Sequence, residues 1–283
     1  MPNQNYLSIY AKSFNWAGFF LPKEIYWRCS ALYDFCRTVD NIADDYGDLN
    51  IKKNDLLNFK DNFNNKNYNN PIIKNMWSLI DDFKISKKIV NDLFDGVESD
   101  LKEKVVLDSK RDLLVYSYRV AGTVGLMMAK ILNVKNKNAL KSAIDLGIAM
   151  QLTNISRDVL EDAKNNRSYI SKDFESIKEN LKLADLFYKS CFSSIKEIPF
   201  KLRFSILVAR RVYRQIGYNI LKKKNMKNYN YSGKIYVNNL GKIIQTALAI
   251  LDMIKLLLIK SEDHFRNQEH LLINEVINLN ERF

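Results

Sequence analysis

The chain has little of what marks most fold classes. Only 4 prolines and 9 glycines are spread over 283 residues, and no spaced series of short strands with turn signals appears, so a β-sandwich or barrel is excluded. The three cysteines, Cys29, Cys36 and Cys191, are odd in number and show no CxxC spacing. Neither a disulfide framework nor a zinc site is expected from them, and a reducing cytoplasm is the expected setting. There is no GxGxxG fingerprint. No basic segment followed by an apolar core opens the chain, so no signal peptide is expected. The most apolar run, Ile243 to Ile259, is interrupted by Asp252 and Lys255. A bilayer span needs roughly 20 mostly apolar residues, so this run reads as a core helix, with contact to a membrane surface left open.

What remains is the composition of a helical protein. Hydrophobic residues make up 47% of the chain, ample for a buried core, and long stretches rich in Leu, Ile, Lys, Asp and Asn favour helices joined by polar loops. Helices are expected over Pro22–Asp45, Ile73–Asp82, Lys87–Lys104, Asp108–Leu132, Ala139–Asp162, from Asp173 past Ser190, over Phe200–Lys224 and over Lys234–Lys260. The Asn-rich run Phe59–Pro71 reads as an exposed loop or frayed end, and Asn225–Gly233 as a break. With no linker or tandem repeat, residues 1–283 read as one all-α domain. Lys and Arg total 44 against 32 Asp and Glu, a formal charge of +12. That excess suits an anionic partner: nucleic acid, anionic lipid or a phosphorylated substrate. No dense basic face or recognition motif supports nucleic acid, and many lysines fall in solvated Lys/Asn tracts.

Two pairs of carboxylates carry the chemistry. Asp40 and Asp44 lie four residues apart in RTVDNIADD, and Asp158 and Asp162 four apart in QLTNISRDVLEDA. On a helix each pair stands side by side on one face, and the repulsion calls for a partner. Mg²⁺ takes hard oxygen ligands and is held by one or two carboxylates plus substrate phosphates. At 100° per residue, Tyr33 and Arg37 fall on the arc of the first pair, and Gln151 and Asn154 on that of the second. Such a polar stripe among Ile148, Ala149, Leu152 and Ile155 is costly to bury without partners. Ion pairs of these aspartates with Arg37 and Arg157 are the plain structural alternative, but two pairs with an amide stripe favour a metal–diphosphate clamp.

These segments resemble the phytoene/squalene synthase family. ALYDFCRTVDNIADD (Ala31–Asp45) is similar to its first aspartate-rich motif and QLTNISRDVLEDAKNNRSYI (Gln151–Ile170) to its second; YRVAGTVGLMM (Tyr118–Met128), KSF (Lys12–Phe14) and LPKE (Leu21–Glu24) match further family segments in order. The resemblance implies an all-α isoprenoid-synthase bundle around a central apolar cavity. It also implies Mg²⁺, with Mn²⁺ able to serve, held by Asp40, Asp44, Asp158, Asp162 and Asn154. Arg37 and Arg157 would contact diphosphate, and Ser13, Phe14, Tyr33, Tyr116, Gly147, Gln151 and Tyr213 would lie at the substrate site. The implied reaction is head-to-head condensation of two prenyl diphosphates. Phytoene formation from geranylgeranyl diphosphate, without NADPH, is preferred to squalene, hydroxysqualene or dehydrosqualene formation from farnesyl diphosphate. Some family members are non-catalytic assembly factors that have lost motif aspartates; this chain keeps all four. The small residues Ala121, Gly122 and Gly125 fit either close helix packing or the approach of a prenyl chain.

Overall fold

A computed structural model describes residues 12–45, 47–260, 264 and 267–283, with the side chains of residues 12, 13 and 267 outside that description. Thirteen helices are described within it: α1 (Lys12–Gly18), α2 (Lys23–Asp44), α3 (Leu49–Asn64), α4 (Pro71–Phe83), α5 (Lys87–Glu98), α6 (Lys110–Ser117), α7 (Thr123–Ile131), α8 (Lys137–Lys164), α9 (Phe174–Ser190), α10 (Phe200–Leu221), α11 (Met226–Tyr231), α12 (Asn239–Leu258) and α13 (Asn267–Asn274). A two-residue parallel ladder pairs β1 (Val105–Val106) with β2 (Arg167–Ser168).

Asparagine is misleading in this sequence because it works here as a cap. Asn70, Asn136, Asn225 and Asn238 each accept backbone N–H bonds in the first turn of a helix, satisfying donors that helix starts leave free. The run expected as an exposed loop or frayed helix end from Phe59 is the ordered end of a helix as far as Asn64. Its Phe63 is fully buried beside Phe35, Phe94 and Trp77, and the Trp77 indole donates to the Phe63 carbonyl at 2.8 Å. Truncating such a ring costs about 3–5 kcal/mol, which outweighs weak local propensity. Other expectations need trimming. The helix from Lys87 stops at Glu98 rather than Lys104, the last long helix starts at Asn239 rather than Lys234, and the expected break at Asn225 contains α11.

The stretch expected as one helix from Asp108 to Leu132 contains a π-helical segment, Tyr118–Gly122, between α6 and α7. Single π turns of this kind gather at functional sites. Here the Tyr118 phenol donates to Asp92 at 2.9 Å, and Arg282 near the chain end grips the same carboxylate at 2.8 and 2.9 Å. Close helix packing accounts for the glycines. A Cβ on Gly125 would sit 2.2 Å from the Ala143 carbonyl oxygen, and one on Gly147 2.2 Å from that of Ala121. α8 therefore runs backbone-to-backbone along the π segment and α7, and with α2 these elements supply much of the wall of a central cavity.

The C-terminal residues are tied to the same frame. His264 and His270 place Nε2 2.8 and 2.7 Å from opposite oxygens of Asp145 on α8, and all three residues are buried. The reading of Ile243–Ile259 as a core helix is corrected. α12 buries Lys242, Ala249, Asp252 and Leu256 and turns most of its large aliphatic residues outward.

Candidate active site

The cavity encloses about 870 Å³, at the upper end of the range for ligand sites. Along α8 its lining extends from Ala139 to Arg157, about 27 Å at 1.5 Å per residue. The end near Ala139 is apolar, with Met128, Leu132, Val134 and Ala143. The other end holds Tyr33, Arg37 and Asp40 from α2 and Gln151, Asn154 and Arg157 from α8. Phe14, Tyr116, Gly147 and Tyr213 also line it, and the Phe14 and Tyr213 rings lie 4.8 Å apart. The Ser13 side chain lies outside the described residues. Asp44, Asp158 and Asp162 are not lining residues; they continue the two polar stripes along α2 and α8.

Both arginines of the motifs are engaged by carboxylates. Arg37 donates to Asp40 at 2.5 Å and lies 3.8 Å from Asp44. Arg157 makes a two-pronged contact with Asp158 at 2.9 and 2.5 Å and stacks over the Tyr236 ring at 5.6 Å. The ion pairs that the sequence offered as an alternative to a metal clamp are thus present. They do not neutralise the site. Burial, reinforced by Asp44, pushes the Asp40 carboxyl up to about 7 despite Arg37, and burial together with Asp158 pushes Asp162 up to about 8. Carboxyls raised by burial and a like charge mark a place where positive charge is missing.

Four residues that sequence periodicity did not single out join the motifs. Arg167, held on β2, donates to Asp44 at 2.8 Å and to the Ala43 carbonyl at 3.2 Å, so it ties the end of α2 to the segment after α8. Asp100, just after α5, accepts from the phenols of Tyr116 at 2.8 Å and Tyr169 at 2.7 Å. Those two rings stack with centroids 4.6 Å apart, and burial raises the Asp100 carboxyl. Lys234 reaches Asp158 at 3.4 Å and Glu161 at 2.5 Å from the loop before α12. Tyr229 of α11 donates to the Arg157 carbonyl at 2.7 Å and braces the second motif from outside. In sequence, Asp100 sits in the charge-rich GVESDLKEK and Lys234 in a polar loop; neither has a helical partner that would flag it.

A sequence model of the squalene/phytoene synthase family matches residues 8–175, which include both aspartate pairs. The chain belongs to that family. It is 29% identical over 238 residues to the phytoene synthase of Rhodobacter capsulatus, covering 75% of this chain and 70% of that protein. Over 151 residues it is 37% identical to the 15-cis-phytoene synthase of a Paracoccus species, 46% of this chain and 49% of the relative, so that match spans about half the relative's length. Among solved structures, a dehydrosqualene synthase in complex with ligand superposes with a TM-score of 0.72 at 25% identity, over 88% of this chain and 94% of that one. A squalene synthase from Alicyclobacillus acidocaldarius shares the fold, with a TM-score of 0.66 at 17% identity over 79% and 91% of the two chains. The isoprenoid-synthase bundle expected of the family is the architecture described above.

Proposed function

We propose that this family member is a prenyltransferase that condenses two geranylgeranyl diphosphates head to head to give phytoene, through a cyclopropylcarbinyl diphosphate. The observation that carries the proposal is one cavity about 27 Å long with an acidic, arginine-bearing end and an apolar body. Curated relatives named phytoene synthase support the substrate choice.

Asp40, Asp44, Asp158, Asp162 and Asn154 are the residues that would hold divalent cations, Mg²⁺ or Mn²⁺. Their state fits that role: Asn154 Oδ1 is buried with no hydrogen-bond partner among the described residues, and the Asp40 and Asp162 carboxyls are pushed up by burial and a neighbouring carboxylate, which a bound cation would reverse. Bound there, such a cation supplies the charge neutralisation that lets an allylic diphosphate depart. The protein's own groups do the rest. The guanidinium forks of Arg37 and Arg157 exchange carboxylate for diphosphate oxygens, a bidentate geometry that suits both partners. Lys234 adds a third cation at the same end. The apolar body lays out the prenyl tails and excludes water, which would quench an allylic cation to an alcohol. Tyr33, Tyr116 and Tyr213 line the cavity, and aromatic rings there are able to steady positive charge as it moves along the chain. Discharge of the last cation by proton loss needs no nicotinamide cofactor, and no nucleic acid is involved. A hydrocarbon product and a basic chain favour a membrane surface, approached from the cytoplasm, as the site of work.

The deciding experiment incubates purified protein with Mg²⁺ and geranylgeranyl or farnesyl diphosphate, with and without NADPH, and identifies extracted products by mass spectrometry. A C40 hydrocarbon from geranylgeranyl diphosphate alone is expected. A C30 product from farnesyl diphosphate only would transfer the assignment to a dehydrosqualene-type reaction, the activity named for the structure with TM-score 0.72. Absence of any product would refute the enzymatic reading.

A further inference from the structure

α12 is built inside out. Its one acidic residue, Asp252, is buried and held by Arg211 through two contacts of 2.6 and 2.7 Å. Lys242 is buried over the Trp16 ring, and Gln245 bonds to Arg211 and Gln215. The aliphatic residues point the other way. Leu240, Ile243, Ile250, Ile254, Leu257 and Leu258 are each 50–81% exposed, and their spacing of three, four and seven lays them on one stripe. The stripe runs from Leu240 to Leu258, about 27 Å. Isolated exposed aliphatics need no explanation, but a contiguous stripe of this kind marks an interaction surface. No described helix is long and apolar enough to cross a membrane.

We propose that the outer face of α12 docks the protein on the surface of an anionic phospholipid bilayer, with the helix axis in the plane of the headgroup boundary. Three observations select this occupant. The face presents no acidic side chain, while Lys255 and Lys260 are exposed at its C-terminal end on a chain of formal charge +12, which complements anionic headgroups. A second copy paired through the same stripe would set Lys255 against apolar side chains with no carboxylate to answer it. The helix also adjoins the cavity: Tyr236 and Val237 just before α12, and Asn239 and Lys242 in its first turn, line the wall. Docking there holds the cavity beside the bilayer that would take up an apolar product. That last point rests on the proposed function; the binding itself does not, and its test needs no turnover.

The test floats the purified full chain with vesicles of phosphatidylcholine, with and without phosphatidylglycerol. At least about tenfold more protein is expected to float with the anionic vesicles, and the double variant Ile250→Glu, Ile254→Glu is expected to lose at least about tenfold of that binding while turning over detergent-dispersed substrate like the wild type. Wild-type protein that floats with neither vesicle, or a folded double variant that floats as well as the wild type, overturns the proposal. So does light scattering that shows a wild-type dimer, converted to monomer by the variant, without flotation: a second copy then covers the face. Should the double variant fail to fold, Leu251→Trp reports instead. Its added emission should shift blue on anionic vesicles, and unchanged emission overturns the proposal.

Discussion

Asp100 is the residue whose replacement tests the site most sharply. It holds the phenols of Tyr116 and Tyr169, whose residues are only 7% and 6% exposed. Asp100→Asn preserves shape but leaves one carbonyl oxygen and one amide group where two oxygens accepted. Tyr116 then loses its charged acceptor and keeps only the Tyr169 hydroxyl 2.9 Å away, so a charge-assisted bond worth about 1.5–3 kcal/mol is lost or replaced by a weaker neutral one. Removing a carboxylate that raises its neighbours Asp40 and Asp162 returns part of that. A net loss of about 1–2 kcal/mol is expected, read as a lower midpoint in urea unfolding followed by circular dichroism. The decisive quantity is the coupling with Tyr116→Phe, which removes the same bond from the other side: the double variant should be more stable than additivity predicts by about 1 kcal/mol. Because Tyr116 lines the cavity, turnover should fall in both single variants and fall little further in the double. Additive stability losses with unchanged turnover would show that Asp100 neither holds nor positions Tyr116.

Three further outcomes are expected. Asp40→Ala and Asp158→Ala should each abolish product formation with the helical circular dichroism signal intact; near-full activity in either would remove that motif from the cation clamp. Carboxyls that titrate near 7 and 8 when folded and near 4 when unfolded hold protons more tightly in the native state, so their contribution to stability is full below about pH 4 and is lost as pH rises through 7 to 8. Metal-free protein should therefore melt lower at pH 8.5 than at pH 5.5, and Mg²⁺ with inorganic diphosphate should narrow the gap; a melting temperature that rises over this range without metal would contradict the charge imbalance. Gly147→Ala would place a methyl 2.2 Å from the Ala121 carbonyl oxygen, backbone against backbone, and should cost about 3 kcal/mol or more; a melting temperature within a degree of wild type would show that α8 and the π segment can part at no cost.

The helical class, most helix boundaries and the two aspartate pairs were legible in the sequence because they are local. A period of 3.6 residues, a cap or a pair spaced by four is written within one turn or a few, as over Lys23–Asp44 and Lys137–Lys164. Asn-rich stretches misled for the same reason in reverse: Phe63 is helical because it packs against Phe94, thirty-one residues later. Asp100 meets Tyr169 across sixty-nine residues, and Arg167 meets Asp44 across 123, so neither pairing leaves a periodic trace. The outward turn of α12 was likewise decided in three dimensions. Its sequence is apolar on one side and carries Lys242, Gln245 and Asp252 on the other, and periodicity fixes only that two faces exist. Which face turns inward depends on whether the bundle offers buried charge to meet it, and here α10 supplies Arg211 to Asp252. A buried ion is tolerable only when its partner is already in place, and no reading along a single helix can supply that partner.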